Sequence, residues 1–201
     1  MGKEQKAVCV IAWPAGHSRS PLIHNYWIKQ HKLDAEYRRE AVPPDKFPEF
    51  ITHLHDHGYI GANITVPHKE TALKLTEPDE RARAVGAANA LWYKDSRLRS
   101  TNTDVEGFLA NLDAVTPGWD RGLSTAVVLG AGGGARAVVY ALVTREVGRI
   151  YVINRTKEKA QALRKKFGSA VQVAGWDETT GLLGGAGLLV NTTTLGMVGQ
   201  P

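Results

Sequence analysis

The reading of the fold turns on Val127-Val128-Leu129-Gly130-Ala131-Gly132-Gly133-Gly134-Ala135-Arg136. An apolar run rich in β-branched residues stops at a cluster of glycines, and residues 135–147 then carry a helical pattern. Strand, glycine turn and helix in this order form the dinucleotide fingerprint G-x-G-x-x-G/A, with Gly130, Gly132 and Ala135 in its three fixed slots. The first glycine permits a tight turn. The second lets backbone approach a pyrophosphate, and the small third residue lets the helix pack on its strand. The helix start then aims unpaired N–H groups and the positive end of its dipole at the anion. A glycine triplet alone is often only a turn; the flanking strand and helix turn it into an expected cofactor site, in which residues 130–135 (Gly130, Ala131, Gly132, Gly133, Gly134 and Ala135) line the phosphate turn.

Outward from this stretch toward the C-terminus the pattern alternates. Strands fit 125–129, 149–153, 170–174 and 187–190, and helices fit 135–147, 157–167 and 177–183. Such alternation means a parallel sheet with right-handed crossovers, a Rossmann-type doubly wound arrangement. The expected strands end short of the roughly six that two complete halves would supply. A fragment or truncated relative is therefore expected, incomplete at its C-terminus. The second strand ends Val152-Ile153-Asn154-Arg155-Thr156. An NAD enzyme usually has Asp or Glu here to bind the adenosine ribose. Arg155 stands instead where a 2′-phosphate would lie, able to make a planar bidentate contact, with the Thr156 hydroxyl beside it. A helix N-cap at Thr156 with a solvated Arg155 fits the same residues, and the two readings are compatible. NADP is favoured over NAD.

Toward the N-terminus the chain changes character. Strands fit 7–11, 35–42 and 59–66, helices fit 45–57, 69–75 and 79–85, and 88–93 with 97–100 resembles a hairpin. Ser20-Pro21 looks like an N-cap with proline at the first helical position, opening a helix to about residue 32. Residues 104–114 read as a connecting helix, broken at Thr116-Pro117-Gly118. The expected division is an α/β substrate domain at 1–117 and a Rossmann-type NADP-binding domain at 118–201.

Composition narrows the function. The chain has 201 residues and a formal net charge of +5. Its basic residues alternate with acids, as in Lys157-Glu158-Lys159, and no basic run carries interleaved aromatics, which argues against nucleic acid. A mildly positive cleft suits small anions equally well. No apolar run approaches the ~18 residues of a membrane span, and residues 1–6 lack a signal-peptide layout. The single cysteine, Cys9, lies in an apolar run and reads as a buried thiol in a reducing cytoplasm.

Three polar clusters in the first domain are candidates for chemistry. In His17-Ser18-Arg19-Ser20-Pro21, two hydroxyls beside a helix start make a carboxylate receptor, though a plain capped helix has the same look. In Asn63-Ile64-Thr65-Val66-Pro67-His68-Lys69, strand geometry turns Asn63 and Thr65 to one face. Lys69 follows at a helix start, where the dipole disfavours a cation; it is either a solvated surface lysine or one held for its chemistry. Thr101-Asn102-Thr103-Asp104 is a helix start with more polar residues than one cap requires. The His53-Leu54-His55-Asp56-His57 segment puts two imidazoles at i, i+4, but no third ligand of suitable spacing accompanies them, and no metal is expected.

Together these segments resemble the shikimate dehydrogenase family. The resemblance rests on HSRSPLIHN (17–25), GANITVPHK (61–69), GAANA (86–90), NTDVEG (102–107), GAGGGAR (130–136), NRT (154–156) and NTTTLGM (191–197), in that order along nearly the whole chain. It implies an NADP-linked oxidoreductase that interconverts 3-dehydroshikimate and shikimate in chorismate and aromatic amino-acid biosynthesis. Under it, Ser18 and Ser20 bind the substrate carboxylate, while Asn63, Thr65 and Asn89 line the pocket. Lys69 and Asp104 form the catalytic pair. Asn154, Arg155 and Thr156 meet the cofactor's 2′-phosphate end, and Thr192 and Met197 border its nicotinamide. The chain departs from the family at Ala12-Trp13-Pro14, where glycine is usual at Ala12, and at Ala90, where threonine is common. The expected partner is a small molecule, and the expected state is a cytoplasmic monomer or homodimer. A quinate/shikimate dehydrogenase of broader substrate use and a non-catalytic NADP-binding regulatory relative remain the alternatives.

Overall fold

The computed structural model describes residues 6–196. It contains two compact units, divided between Asn102 and Thr103.

The first unit is built on a mixed sheet of β1 (Lys6–Ala12), β2 (Ala35–Ala41), β3 (Tyr59–Ile64), β4 (Glu77–Pro78), β5 (Ala90–Lys94) and β6 (Arg97–Thr101), in the order β2-β1-β3-β5-β6-β4. β1 runs parallel to β2 and β3, while β5 is antiparallel to both β3 and β6. Central β1 is covered on both faces, which explains its near-continuous apolar sequence KAVCVIA. Cys9, Ile11 and Ile64 pack with Phe47, Ile51 and Leu54 in one core. Burial, reinforced by the Glu40 carboxylate, pushes the Cys9 thiol well up; it is a packing residue.

The helices of this unit are α1 (Ser20–Gln30), α2 (Phe47–Thr52), α3 (Lys69–Leu75) and α4 (Glu80–Val85). Two differ from expectation. Ser20 is not the cap of α1 but its first residue, with Arg19 at the N-cap position; the Ser18 Oγ accepts the Ser20 N–H at 3.3 Å. The helix expected over 45–57 holds only from Phe47 to Thr52, because the chain turns at His53 to bring Tyr59 into β3. His53 and His57 therefore share no helix face. His53 Nδ1 meets Asp56 at 2.9 Å, and His57 stacks on Phe50.

The second unit holds α5 (Asp104–Val115), β7 (Thr125–Leu129), α6 (Gly133–Thr144), β8 (Arg149–Ile153), α7 (Lys157–Phe167), β9 (Val171–Ala174), α8 (Thr179–Leu183) and β10 (Leu188–Asn191). Its strands are all parallel, in the order β10-β7-β8-β9. Ala135, Val138, Val139 and Leu142 of α6 pack with Ala160 and Leu163 of α7 over Val128, Ile150 and Val152. The boundary expected at 117 left α5 with the first domain. The compact unit begins instead at Thr103, because α5 packs on α6 and its Asp113, with Asp120 beyond it, holds Arg145 at the end of α6. No helix among the described residues is long and apolar enough to cross a membrane.

Candidate active site

In the first unit the candidate residues lie around the C-terminal ends of β1 and β3. The segments that follow these strands are tied together, with Trp13 N–H donating to the Val66 carbonyl at 3.0 Å and Thr65 N–H to Ile11 at 3.0 Å. The Trp13–Pro14 and Val66–Pro67 bonds are both cis. Asn63, on β3, pairs with Val10 on one side and Ala90 on the other. Its Oδ1 accepts the Tyr37 hydroxyl at 2.7 Å, and its Nδ2 reaches the Asn89 carbonyl at 3.4 Å. Asn89 is itself fixed through backbone bonds, donating to Thr101 at 3.0 Å and accepting from Ile64 at 2.8 Å. Arg39 clamps the other side of the site, donating from Nη2 to the Ser18 carbonyl at 2.5 Å. Ser18, Ser20, Asn63, Thr65 and Asn89 are all half-buried.

Lys69 is the first residue of α3 and is also half-buried. His68 sets its position. This imidazole is only 2 % exposed, stacks on Phe47 at 4.2 Å and donates from Nε2 to the Val42 carbonyl at 2.8 Å. The His68 carbonyl accepts from Ala72, and the Lys69 carbonyl from Ala88, so both ends of the turn are pinned. Burial holds the His68 ring below the usual histidine range, partly opposed by its bond to Val42. A folded-state value below the unfolded one, about 6.5, means that the unfolded chain takes up more protons as pH falls. The stability contributed by neutral His68 is complete above about pH 6.5 and is lost on acidification. Thermal melts across about pH 5–7 should therefore be flatter for His68→Gln than for the parent; equal slopes would contradict this.

Asn102, fully buried, closes the first unit by donating to the Ala87 carbonyl at 3.0 Å. Asp104, two residues on, is the first residue of α5 in the second unit. Its charge is favourable at that helix start, whereas that of Lys69 is not.

In the second unit the parallel order brings three segments to one sheet edge: Gly130 after β7, Asn154 to Thr156 after β8, and Thr192 after β10. Gly130 has φ +105°, a conformation that side chains disfavour, and a Cβ there would overlap the Thr192 hydroxyl. Thr192 is anchored to the Leu129 carbonyl through both its N–H (2.8 Å) and its Oγ1 (2.7 Å). Gly132 is the N-cap of α6, makes no side-chain cap, and faces open space where its Cβ would be. The first-turn N–H groups of a twelve-residue helix thus face that space, the arrangement a pyrophosphate requires. Thr156 occupies the N-cap position of α7 without a side-chain cap bond; instead Asn154 Nδ2 donates to its carbonyl at 2.8 Å, and Arg155 is exposed. The donor set fits a phosphorylated dinucleotide. Met197 lies outside the described residues. Among those described, no group of three His, Cys, Asp or Glu side chains could hold a metal ion.

Comparison with known proteins agrees with both halves. Residues 10–91 match the family model of the shikimate dehydrogenase substrate binding domain, and residues 120–195 that of shikimate / quinate 5-dehydrogenase. The shikimate dehydrogenase (NADP(+)) of Rhodopseudomonas palustris strain TIE-1 is 61% identical over 201 residues, covering the whole of this chain and 72% of that protein. The chain belongs to the shikimate dehydrogenase family. Among solved structures, the shikimate dehydrogenase of Aquifex aeolicus superposes with a TM-score of 0.86 at 32% identity, over all of this chain and 74% of that one. The quinate dehydrogenase of Corynebacterium glutamicum, in complex with NAD, gives 0.83 at 28% identity over 99% and 74%.

Sequence motifs marked the Ser18, Asn63 and Asn89 segments of this family member but missed what holds them. Tyr37, Arg39 and His68 are the supporting residues. Tyr37 and Arg39 sit on β2 without a motif of their own. His68 falls inside the 61–69 segment and reads there as only the residue before Lys69.

Proposed function

We propose that the chain is a shikimate dehydrogenase, catalysing the reversible NADPH-dependent reduction of 3-dehydroshikimate to shikimate. The observation that carries this reading is the identity of 61% with an NADP(+) shikimate dehydrogenase across the entire chain. Substrate binding falls to the first unit and NADP binding to the second, the division between the two matching family models supporting this assignment. When bound, NADPH supplies the hydride, and the protein's task is to bind, orient and move a proton.

Ser18 and Ser20 offer hydroxyl donors to the substrate carboxylate, and Asn63, Thr65 and Asn89 read its ring hydroxyls. Reduction of the carbonyl leaves negative charge on oxygen that needs a proton. Lys69 is the acid/base group that donates it and takes it back in the reverse direction. Asp104 accepts a hydrogen bond from the reacting hydroxyl and orients it. Gly130 to Ala135 hold the pyrophosphate through backbone N–H groups, Thr192 borders the nicotinamide, and Met197 is assigned beside it on the motif alone. Asn154, Arg155 and Thr156 bind the 2′-phosphate.

Arg155 gives the cofactor preference its test. Arg155→Ser should raise KM for NADPH by about tenfold or more, the scale of a lost charged hydrogen bond, and leave KM for NADH nearly unchanged. Equal effects on both cofactors would remove Arg155 from the 2′-phosphate site. The activity itself is read from NADPH oxidation on adding 3-dehydroshikimate. Binding of NADPH without oxidation would favour a regulatory relative. The protein acts in the aqueous phase of the cytoplasm, as a monomer or a homodimer.

A further inference from the structure

The Tyr37 hydroxyl is bonded to a candidate substrate-binding residue that lies far from it in sequence. Tyr37 belongs to edge strand β2, and Asn63 to β3, with β1 between them. In register, Tyr37 faces Val8 and Asn63 faces Val10, so the phenol reaches over β1 to donate to Asn63 Oδ1 at 2.7 Å. Burial pushes the Tyr37 phenol well up, which keeps it protonated as the donor of this bond.

Much of the local structure fixes this side chain. Tyr37 is 5% exposed, its ring stacks on His24 at 4.2 Å, and Asn25 brackets its backbone with two bonds of 2.8 Å. Asn25 and His24 lie on α1, one helical turn after Ser20, so the same contacts hold α1 against the sheet. The Asn63 amide is oriented from both ends. Its oxygen takes the phenol proton and its nitrogen faces the Asn89 carbonyl, whereas the flipped amide would set oxygen against oxygen. Without the phenol, only the Asn89 carbonyl would orient the Asn63 amide among these contacts.

We propose that Tyr37 is a positioning residue of the substrate pocket, its hydroxyl setting the Asn63 amide in one geometry for shikimate. The inference rests on the functional reading above. Tyr37 does not touch the substrate; it acts through the Asn63 amide.

Tyr37→Phe keeps the ring, its stack on His24 and the backbone bonds, and removes only the hydroxyl. Calorimetric titration with shikimate and steady-state kinetics should show Kd and KM for shikimate raised about tenfold, with kcat and KM for NADP+ within about twofold. A structural role alone would lower the melting temperature without this split. A second reading is the pair Tyr37→Phe and Asn63→Ala, which, made singly and together, should lose less shikimate affinity in combination than the sum of the single losses. Unchanged shikimate affinity in Tyr37→Phe, or strictly additive losses in the pair, overturns the role of Tyr37. A parent protein that binds no shikimate overturns the functional reading together with it.

Discussion

Lys69→Ala is expected to lower kcat by about 10²–10⁴-fold, the contribution of a positioned acid/base group. Binding of NADPH should be nearly unchanged, because the glycine turn and Arg155 belong to the other unit. The fold should survive as well. The backbone of the turn is held by His68, through its ring bond to Val42 and its carbonyl bond to Ala72, and by the Lys69 carbonyl, none of which needs the lysine side chain. Lys69→Arg should not restore the rate, since a guanidinium keeps its proton where an ammonium can release one. Steady-state kinetics beside a thermal melt and an NADPH titration separate the alternatives. Turnover within a few fold of the parent, with intact cofactor binding, would return Lys69 to the surface-lysine reading.

Gly130→Val should damage stability and cofactor binding together. At φ +105° a β-branched residue is strained by about 1–3 kcal/mol. Its Cβ would also overlap the Thr192 hydroxyl and press on Thr193, which cannot retreat while Thr192 is bonded twice to Leu129. In a unit of this size each kcal/mol lowers the melting temperature by about 4–8 °C, so a drop on the order of 10 °C is expected, with NADPH affinity reduced by more than about tenfold. Gly132→Ala is the informative contrast. The added methyl enters open space, so the melt should stay close to the parent, yet it occupies the approach to the α6 N–H groups and NADPH affinity should fall. If both substitutions left NADPH affinity unchanged, the glycine turn would not be the pyrophosphate site.

The contrast between these glycines also marks how far the sequence could be read. Val127 to Arg136 announced strand, turn and helix because each obeys a local rule, and α3 and α7 run from Lys69 to Leu75 and from Lys157 to Phe167 as their periodicity predicts. Local rules failed where distant packing decides. Ser20 has the composition of a cap, yet the helix starts on it because Ser18 and Arg39 hold the preceding turn. Residues 53–57 are helical by pattern but must turn to feed β3. β4, Glu77–Pro78, is too short to carry any period. The α5 pattern says helix and nothing of which unit it joins.

The candidate site divides in the same way. Ser18, Asn63, Lys69, Asp104 and Arg155 were legible as polar residues at strand ends and helix starts, and the family resemblance gave them roles and added Asn89. Tyr37 was not legible, since an isolated tyrosine in a strand is ordinarily a packing residue. Its significance comes from a hydrogen bond that crosses an intervening strand. Asn25 and His68 were hidden likewise, inside motifs whose other members drew the chemical reading.

The most direct test of the functional assignment is kcat/KM for the purified protein with shikimate and with quinate, each with NADP+ and with NAD+. The assignment predicts that shikimate with NADP+ exceeds every other combination, with Arg155 responsible for the cofactor difference. Preference for quinate with NAD+, or no reduction of either cofactor by a protein that binds NADPH, would contradict it.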